Sequence, residues 1–310
     1  MNSNADFGNS DVPGKEKSMK IIKRVLCFLL AMTLFAGVGE YYEPAAPVKA
    51  ATVSDDDIFV DNENGTVKIT FTAEEKETIL ILVDVPSENI KANTNEAARY
   101  YYKLAEGKNV VNVPLTRGAG NYKIRICKVL DTGKATVLKT KEVTLTEAGN
   151  KSVFDVSNVI VSYATNDTYI KKAKSLIKGC KTESAKVKKI YKYIISNYAY
   201  DYELLSVKAS TSYYSPSNLN TYNRKLGICY DISALFVAML RSVSIEARVV
   251  TGYTPNVKEY HAWTQVWDSK KKSWYTIDAT YDMCLYNSKS KKKYTMIKKD
   301  SEYSDIVYMY

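Results

Sequence analysis

Along this chain the spacing of apolar residues changes once, and that change limits the fold more than any other feature. From Ile58 to about Leu145 the period is two. Val67, Ile69 and Phe71 alternate with Lys68 and Thr70; Tyr122, Ile124 and Ile126 with Lys123 and Arg125; Val143 and Leu145 with Thr144 and Thr146. Side chains two apart share one face of a strand, so each run reads as a half-buried strand. Asn64-Gly65, Gly118-Ala119-Gly120-Asn121 and Asp131-Thr132-Gly133 supply turns between runs. Short strands so punctuated predict an antiparallel, immunoglobulin-like β-sandwich over residues 51–148. It holds no catalytic constellation, so a spacer or binding module is expected. After Gly149 the spacing becomes helical. Ile170, Ala173 and Ile177 mark a helix over 167–180. Val187, Ile190, Tyr191 and Ile194 mark another over 184–198, with capping residues at Thr182-Glu183-Ser184. Residues 201–226 read as a Ser/Tyr/Asn-rich loop. The Tyr-rich part, 198–222, is either a substrate lid or a flexible segment. The second unit spans 149–310, and the class is α+β.

The N-terminus reads as a leader over residues 1–50. Lys20 to Arg24 is basic, Val25 to Val38 is an uncharged apolar run, and Val48-Lys49-Ala50 is a small-x-small cleavage pattern. Met19 is the expected start. The run is shorter than the ~20 residues that span a bilayer, so no membrane span is expected after cleavage. Cys27 opens the run instead of following it, which argues against a lipid anchor. The expected location is secreted or associated with the cell envelope.

Net charge is +10. Removing residues 1–50 takes away six Lys/Arg and five Asp/Glu and leaves +9. Such an excess suits either an anionic cell-envelope polymer as partner or simply a solvated Lys-rich surface. Lys270 to Lys272 and Lys289 to Lys293 read as solvated faces. No aromatic-basic motif points to nucleic acid. Four cysteines follow the leader, Cys127, Cys180, Cys229 and Cys284. They are too few for a disulfide framework, although export permits disulfides. Cys127 and Cys180 read as small apolar residues or free thiols. With one histidine in the chain, no Cys/His metal spacing exists, and neither metal nor cofactor is expected.

The chemistry concentrates after the loop. In Leu226-Gly227-Ile228-Cys229-Tyr230-Asp231, a glycine turn precedes Ile232, Leu235, Phe236, Met239 and Leu240, a helix with one buried face. Cys229 therefore opens a helix, where the dipole and free N–H groups favour a thiolate and can hold an oxyanion. Three strand-like runs follow: Glu246 to Tyr253, His261 to Trp267 and Trp274 to Tyr281. Pairing Trp267 with Lys272 across a four-residue connection would set His261 directly opposite Asp278, close enough for an imidazole–carboxylate hydrogen bond. Cys229 is then the nucleophile, His261 the base and Asp278 the group that orients it. Trp263 is a candidate substrate contact, although Trp263, Trp267 and Trp274 also suit core or groove walls. Tyr200 and Tyr193 are candidates for a second oxyanion donor.

At these positions the chain resembles the transglutaminase-like superfamily of papain-like thiol enzymes, in a bacterial secreted form. The stretches that carry the resemblance are Gly227-Ile228-Cys229, Ala247 to Tyr253, His261-Ala262-Trp263 and Trp274 to Thr280. It covers roughly residues 165–285. It implies an α+β domain with Cys229 on a helix and His261 and Asp278 on adjacent strands. Ser244 departs from the family where glycine often precedes a strand, and Thr264-Gln265 replaces a common Asn-Glu. The expected activity is attack on peptide or glutamine amide bonds through a Cys acyl-enzyme, with a protein or peptide as substrate. Water as acceptor gives a protease or amidase, and an amine gives cross-linking. The alternative is a non-catalytic, envelope-binding protein on the same fold.

Overall fold

The computed structural model of the chain describes residues 50–84, 97–146, 153–208, 213–289 and 294–310. The leader, the boundary at Gly149, part of the Tyr-rich loop and most of Lys289–Lys293 lie outside the described residues. Seven strands come first: β1 (Ile58–Asp61), β2 (Thr66–Ala73), β3 (Glu77–Asp84), β4 (Ala98–Leu104), β5 (Gly107–Pro114), β6 (Gly120–Val129) and β7 (Ala135–Leu145). They form two antiparallel sheets, ordered β1-β2-β5 and β4-β3-β6-β7. The period-two residues behave as expected: Val67, Ile69 and Phe71 from one sheet and Tyr122, Ile124 and Ile126 from the other are buried in a common core. The Asn64-Gly65 turn needs its glycine, because position 65 has φ +64°.

The helical spacing also holds. Helices α1 (Thr168–Leu176) and α2 (Glu183–Asn197) bury Ile170 and Ala173, and Val187, Ile190, Tyr191 and Ile194, respectively. Thr182 caps α2 by accepting from Ala185 N at 3.1 Å. The expected loop 201–226 instead holds two short helices, α3 (Tyr202–Lys208) and α4 (Asn218–Arg224). Ser217 starts α4 as its N-cap, and Lys225 ends it in the left-handed conformation. Two-residue strands β8 (Ala199–Tyr200) and β9 (Leu226–Gly227) pair in parallel and close this segment.

Helix α5 (Cys229–Arg241) follows, then β10 (Ala247–Thr254), β11 (Val257–Asp268), β12 (Ser273–Ile277), helix α6 (Ala279–Asn287) and β13 (Asp305–Met309). The sheet order is β12-β11-β10-β13, all antiparallel. Helix α5 is buried on every side, not on one face as its spacing predicted. The cause is its place: β10 and β11 cover one side and α1, α2, α4 and α6 the others. Arg241 at its end is buried too, and donates to the carbonyls of Ala247, Val156 and Tyr310.

Two expectations about the last strands are corrected. The run from Trp274 to Tyr281 is strand only to Ile277; Asp278 is the N-cap of α6. The register also differs by two residues, because Trp267 pairs with Trp274, and Ser269 to Lys272 form the turn. Lys272 adopts φ +53° in that turn instead of pairing with Trp267. Strand β13 had no counterpart in the sequence reading. It packs the far edge of β10 and is tied to the first unit: Thr116 Oγ1 donates to Met309 O and Arg117 Nη2 to Val307 O. No helix among the described residues is long and apolar enough to cross a membrane.

Candidate active site

Cys229 is the first residue of α5, as the glycine turn predicted. The N-cap is Ile228, whose side chain has no oxygen to offer the helix start. Asp231 takes over part of that role: its Oδ2 accepts from Ile228 N at 3.0 Å, and its Oδ1 accepts from Tyr214 Oη. Burial pushes the Asp231 carboxyl up to about 6, with both donors pulling the other way. Gly227 is fixed by this packing, since a Cβ there would stand 2.8 Å from Asp231 Cβ.

The β8–β9 pair sets Tyr200 opposite Gly227. That register sets Tyr200 near Cys229; burial first, and the Cys229 charge second, raise the pKa of its hydroxyl. Of the two expected candidates, only Tyr200 is near Cys229. Tyr193 lies elsewhere, accepting from Lys225 Nζ at 3.0 Å.

His261 lies on β11 opposite Gly252 and is buried. Its Nε2 is 2.9 Å from Asp278 Oδ2, and Cys229 lies near enough to the ring to act on its charge. Burial disfavours charge on His261, but the Asp278 carboxylate and its hydrogen bond outweigh it, and the imidazole is raised to about 10. Asp278 is fully buried. Burial pushes its carboxyl up; His261, Tyr281 N and the Tyr303 hydroxyl together hold it below the ordinary value. Oδ1 accepts from Tyr281 N at 2.9 Å, which caps α6, and Oδ2 accepts from Tyr303 Oη at 2.9 Å as well as facing His261. His261 and Asp278 thus meet, although Asp278 reaches His261 from a helix cap and not from a facing strand position.

Trp263 is fully buried, so the substrate contact expected of it is corrected. It backs the site: its ring lies 6.3 Å from His261 at 27° and meets Tyr303 edge-on at 5.3 Å. One turn beyond Asp278, Asp282 accepts from Tyr191 Oη at 2.8 Å and from Lys298 Nζ at 2.5 Å. Burial raises its carboxyl to about 6. Sequence reasoning missed Tyr303, Asp282 and the capping role of Asp231. Asp three residues into a helix is a readable signal; Tyr303, in a polar stretch far from the motifs, offers none.

Residues 170–279 match the family model of the transglutaminase-like superfamily. This part of the chain is a transglutaminase-like domain. The match takes in Cys229, His261 and Asp278 and ends before Tyr303. Similar solved structures include a candidate cysteine protease of Cytophaga hutchinsonii, at 17% identity over 69% of this chain and 75% of that one, with a TM-score of 0.36. Legionella pneumophila LapG is 16% identical over 46% of this chain and 81% of its own, TM-score 0.33. The periplasmic domain of TgpA from Pseudomonas aeruginosa is 12% identical over 77% and 96%, TM-score 0.31. Scores this low carry no argument about activity. No curated protein matches the chain.

Proposed function

We propose that the protein is a secreted thiol enzyme that cleaves amide bonds of proteins or peptides through an acyl-enzyme on Cys229. The observation that carries this reading is the buried His261–Asp278 pair, 2.9 Å apart, with Cys229 at the start of α5 and near enough to act on the imidazole's charge. In the proposed reaction His261 takes the thiol proton and the sulfur adds to the substrate carbonyl carbon. The Cys229 N–H and the Tyr200 hydroxyl beside it are the candidate oxyanion donors. The C–N bond then breaks as His261 gives its proton to the departing nitrogen. Water attacks the thioester, His261 accepts its proton, and the acid and free thiol are left. Hydrolysis is preferred over transfer to an amine because it needs no acceptor site beyond room for water. The two N-terminal sheets are read as an immunoglobulin-like spacer, and the basic surface as an aid to residence at an anionic cell envelope. Export rests on the leader pattern.

Labelling of the purified protein with iodoacetamide near neutral pH, followed by peptide mass mapping, tests the nucleophile. Cys229 is expected to react first, and Cys127 slowest, since burial pushes its thiol up to about 11. A peptide and glutamine-donor panel with hydroxylamine should yield hydroxamates. Equal labelling of Cys127, Cys180, Cys229 and Cys284, with no hydroxamate from any donor, would leave the non-catalytic envelope-binding reading in its place.

A further inference from the structure

We propose that Tyr303 is a positioning residue of this site: its hydroxyl fixes the Asp278 oxygen that faces His261. The proposal rests on the thiol-enzyme reading above. It is carried by geometry outside the matched family span. Tyr303 and Asp278 are separated by 25 residues, both side chains are buried, and Tyr303 Oη lies 2.9 Å from Asp278 Oδ2. The direction of the bond is determined. An ionised carboxylate carries no proton, so the phenol proton points to Asp278.

Position and charge follow from the same contacts. Tyr281 N holds Oδ1, and Tyr303 holds Oδ2. With both oxygens anchored, the carboxylate cannot turn about its Cβ–Cγ bond, and its plane stays aimed at His261 Nε2. The Tyr303 ring is itself fixed, edge-on to Trp263 at 5.3 Å, and its N–H donates to Asp300 O at 3.0 Å. A buried carboxylate needs such donors to remain charged. The ionisable groups around Asp278 are His261 on β11, Tyr303, and Asp282 on its own helix with Tyr191 and Lys298 bonded to it. Cys229 and Glu259 interact electrostatically with His261, and Tyr200 with Cys229. Among the described residues, only His261 and Tyr303 donate from side chains to Asp278.

His261 is the chain's one histidine, so a ¹⁵N-histidine label reads this pair alone. In the full chain, Tyr303→Phe keeps the ring and removes the donor. Asp278 should then bind its proton about tenfold more tightly, moving protonation up by about one pH unit. The Nε2–H resonance of His261 should be lost at a correspondingly higher pH than in wild type, and the acid limb of Cys229 alkylation should move with it. An unchanged His261 resonance and acid limb in a folded Tyr303→Phe protein would overturn the proposal. So would slower alkylation that accompanies a lower Tm with no movement of either titration, because that is the signature of packing alone. The histidine resonance reports on Tyr303 even in a protein whose Cys229 proves unreactive, a result that would count against the enzyme reading instead.

Discussion

Two helix starts meet at this site, and they are finished in opposite ways. Helix α5 begins at Cys229 behind an isoleucine N-cap whose side chain cannot accept a hydrogen bond, and Asp231 reaches back from within the helix to bind Ile228 N. Helix α6 begins behind Asp278, which caps it with Oδ1 and keeps Oδ2 for His261 and Tyr303. In the first case the acid stands at the third residue of the helix and binds the N–H of Ile228, not that of Cys229. In the second the acid is placed on the end, so that the dipole and one N–H help keep it charged. On the proposed reading, the same backbone feature would serve a developing anion at one terminus, and it holds a permanent anion at the other.

The sharpest way to break the comparison is Asp278→Asn. Asparagine still caps α6, so the fold should persist by circular dichroism. It cannot hold the His261 tautomer, and turnover is expected to fall by about 10,000-fold. Near wild-type rates would mean that another acid orients His261. Next in size is a dependence of stability on pH. His261 has a folded value of about 10 against 6.5 for the free side chain. Its contribution is therefore complete below about 6.5 and is lost as pH rises towards 10. For Asp278, held low, the contribution is present above the ordinary 3.8 and lost as pH falls below it. Wild-type Tm should thus decline on the alkaline side by the equivalent of a few kcal/mol. The decline should flatten in Asp278→Asn, and an equal decline in both proteins would assign it to other groups. The smallest effect belongs to the α5 start. Asp231→Ala removes its cap and leaves Tyr214 without its carboxylate partner, at a cost of about 1–2 kcal/mol seen as a lower Tm. Cys229 alkylation should slow only modestly. A loss of reactivity as large as that of Asp278→Asn would show that the two ends are not specialised as described.

What could be read in advance followed local rules. The alternation through Ile69 and Phe71, the spacing of Ile190 and Ile194 and the Gly227–Cys229 turn each depend on a few neighbouring residues, and each is found in place. The relation of His261 to Asp278 was foreseen for the wrong reason. Strand pairing was assumed where a cap was operating, and a two-residue difference in register went unseen because Lys271 and Lys272 suit a turn or a strand end equally. The burial of α5 on every side was hidden because Ser233 and Arg241 look like solvent positions. Ser233 donates to Ala262 O and Arg241 to three carbonyls, partners supplied only by the tertiary fold. Tyr303 was invisible for the same reason.

Gly252 carries a consequence that reaches beyond its own strand. A Cβ at that position would fall 1.9 Å from the carbonyl oxygen of Asp305, so β13 can lie against β10 there only because the side chain is missing. Any other residue at 252 would push the incoming strand outward and draw Tyr303, two residues upstream of Asp305, away from Asp278. Cys229, His261 and Asp278 would all remain in the sequence. A related chain could therefore keep every letter by which such a site is usually recognised and still differ in proton affinity, for want of a hydrogen atom at a position that is none of the three.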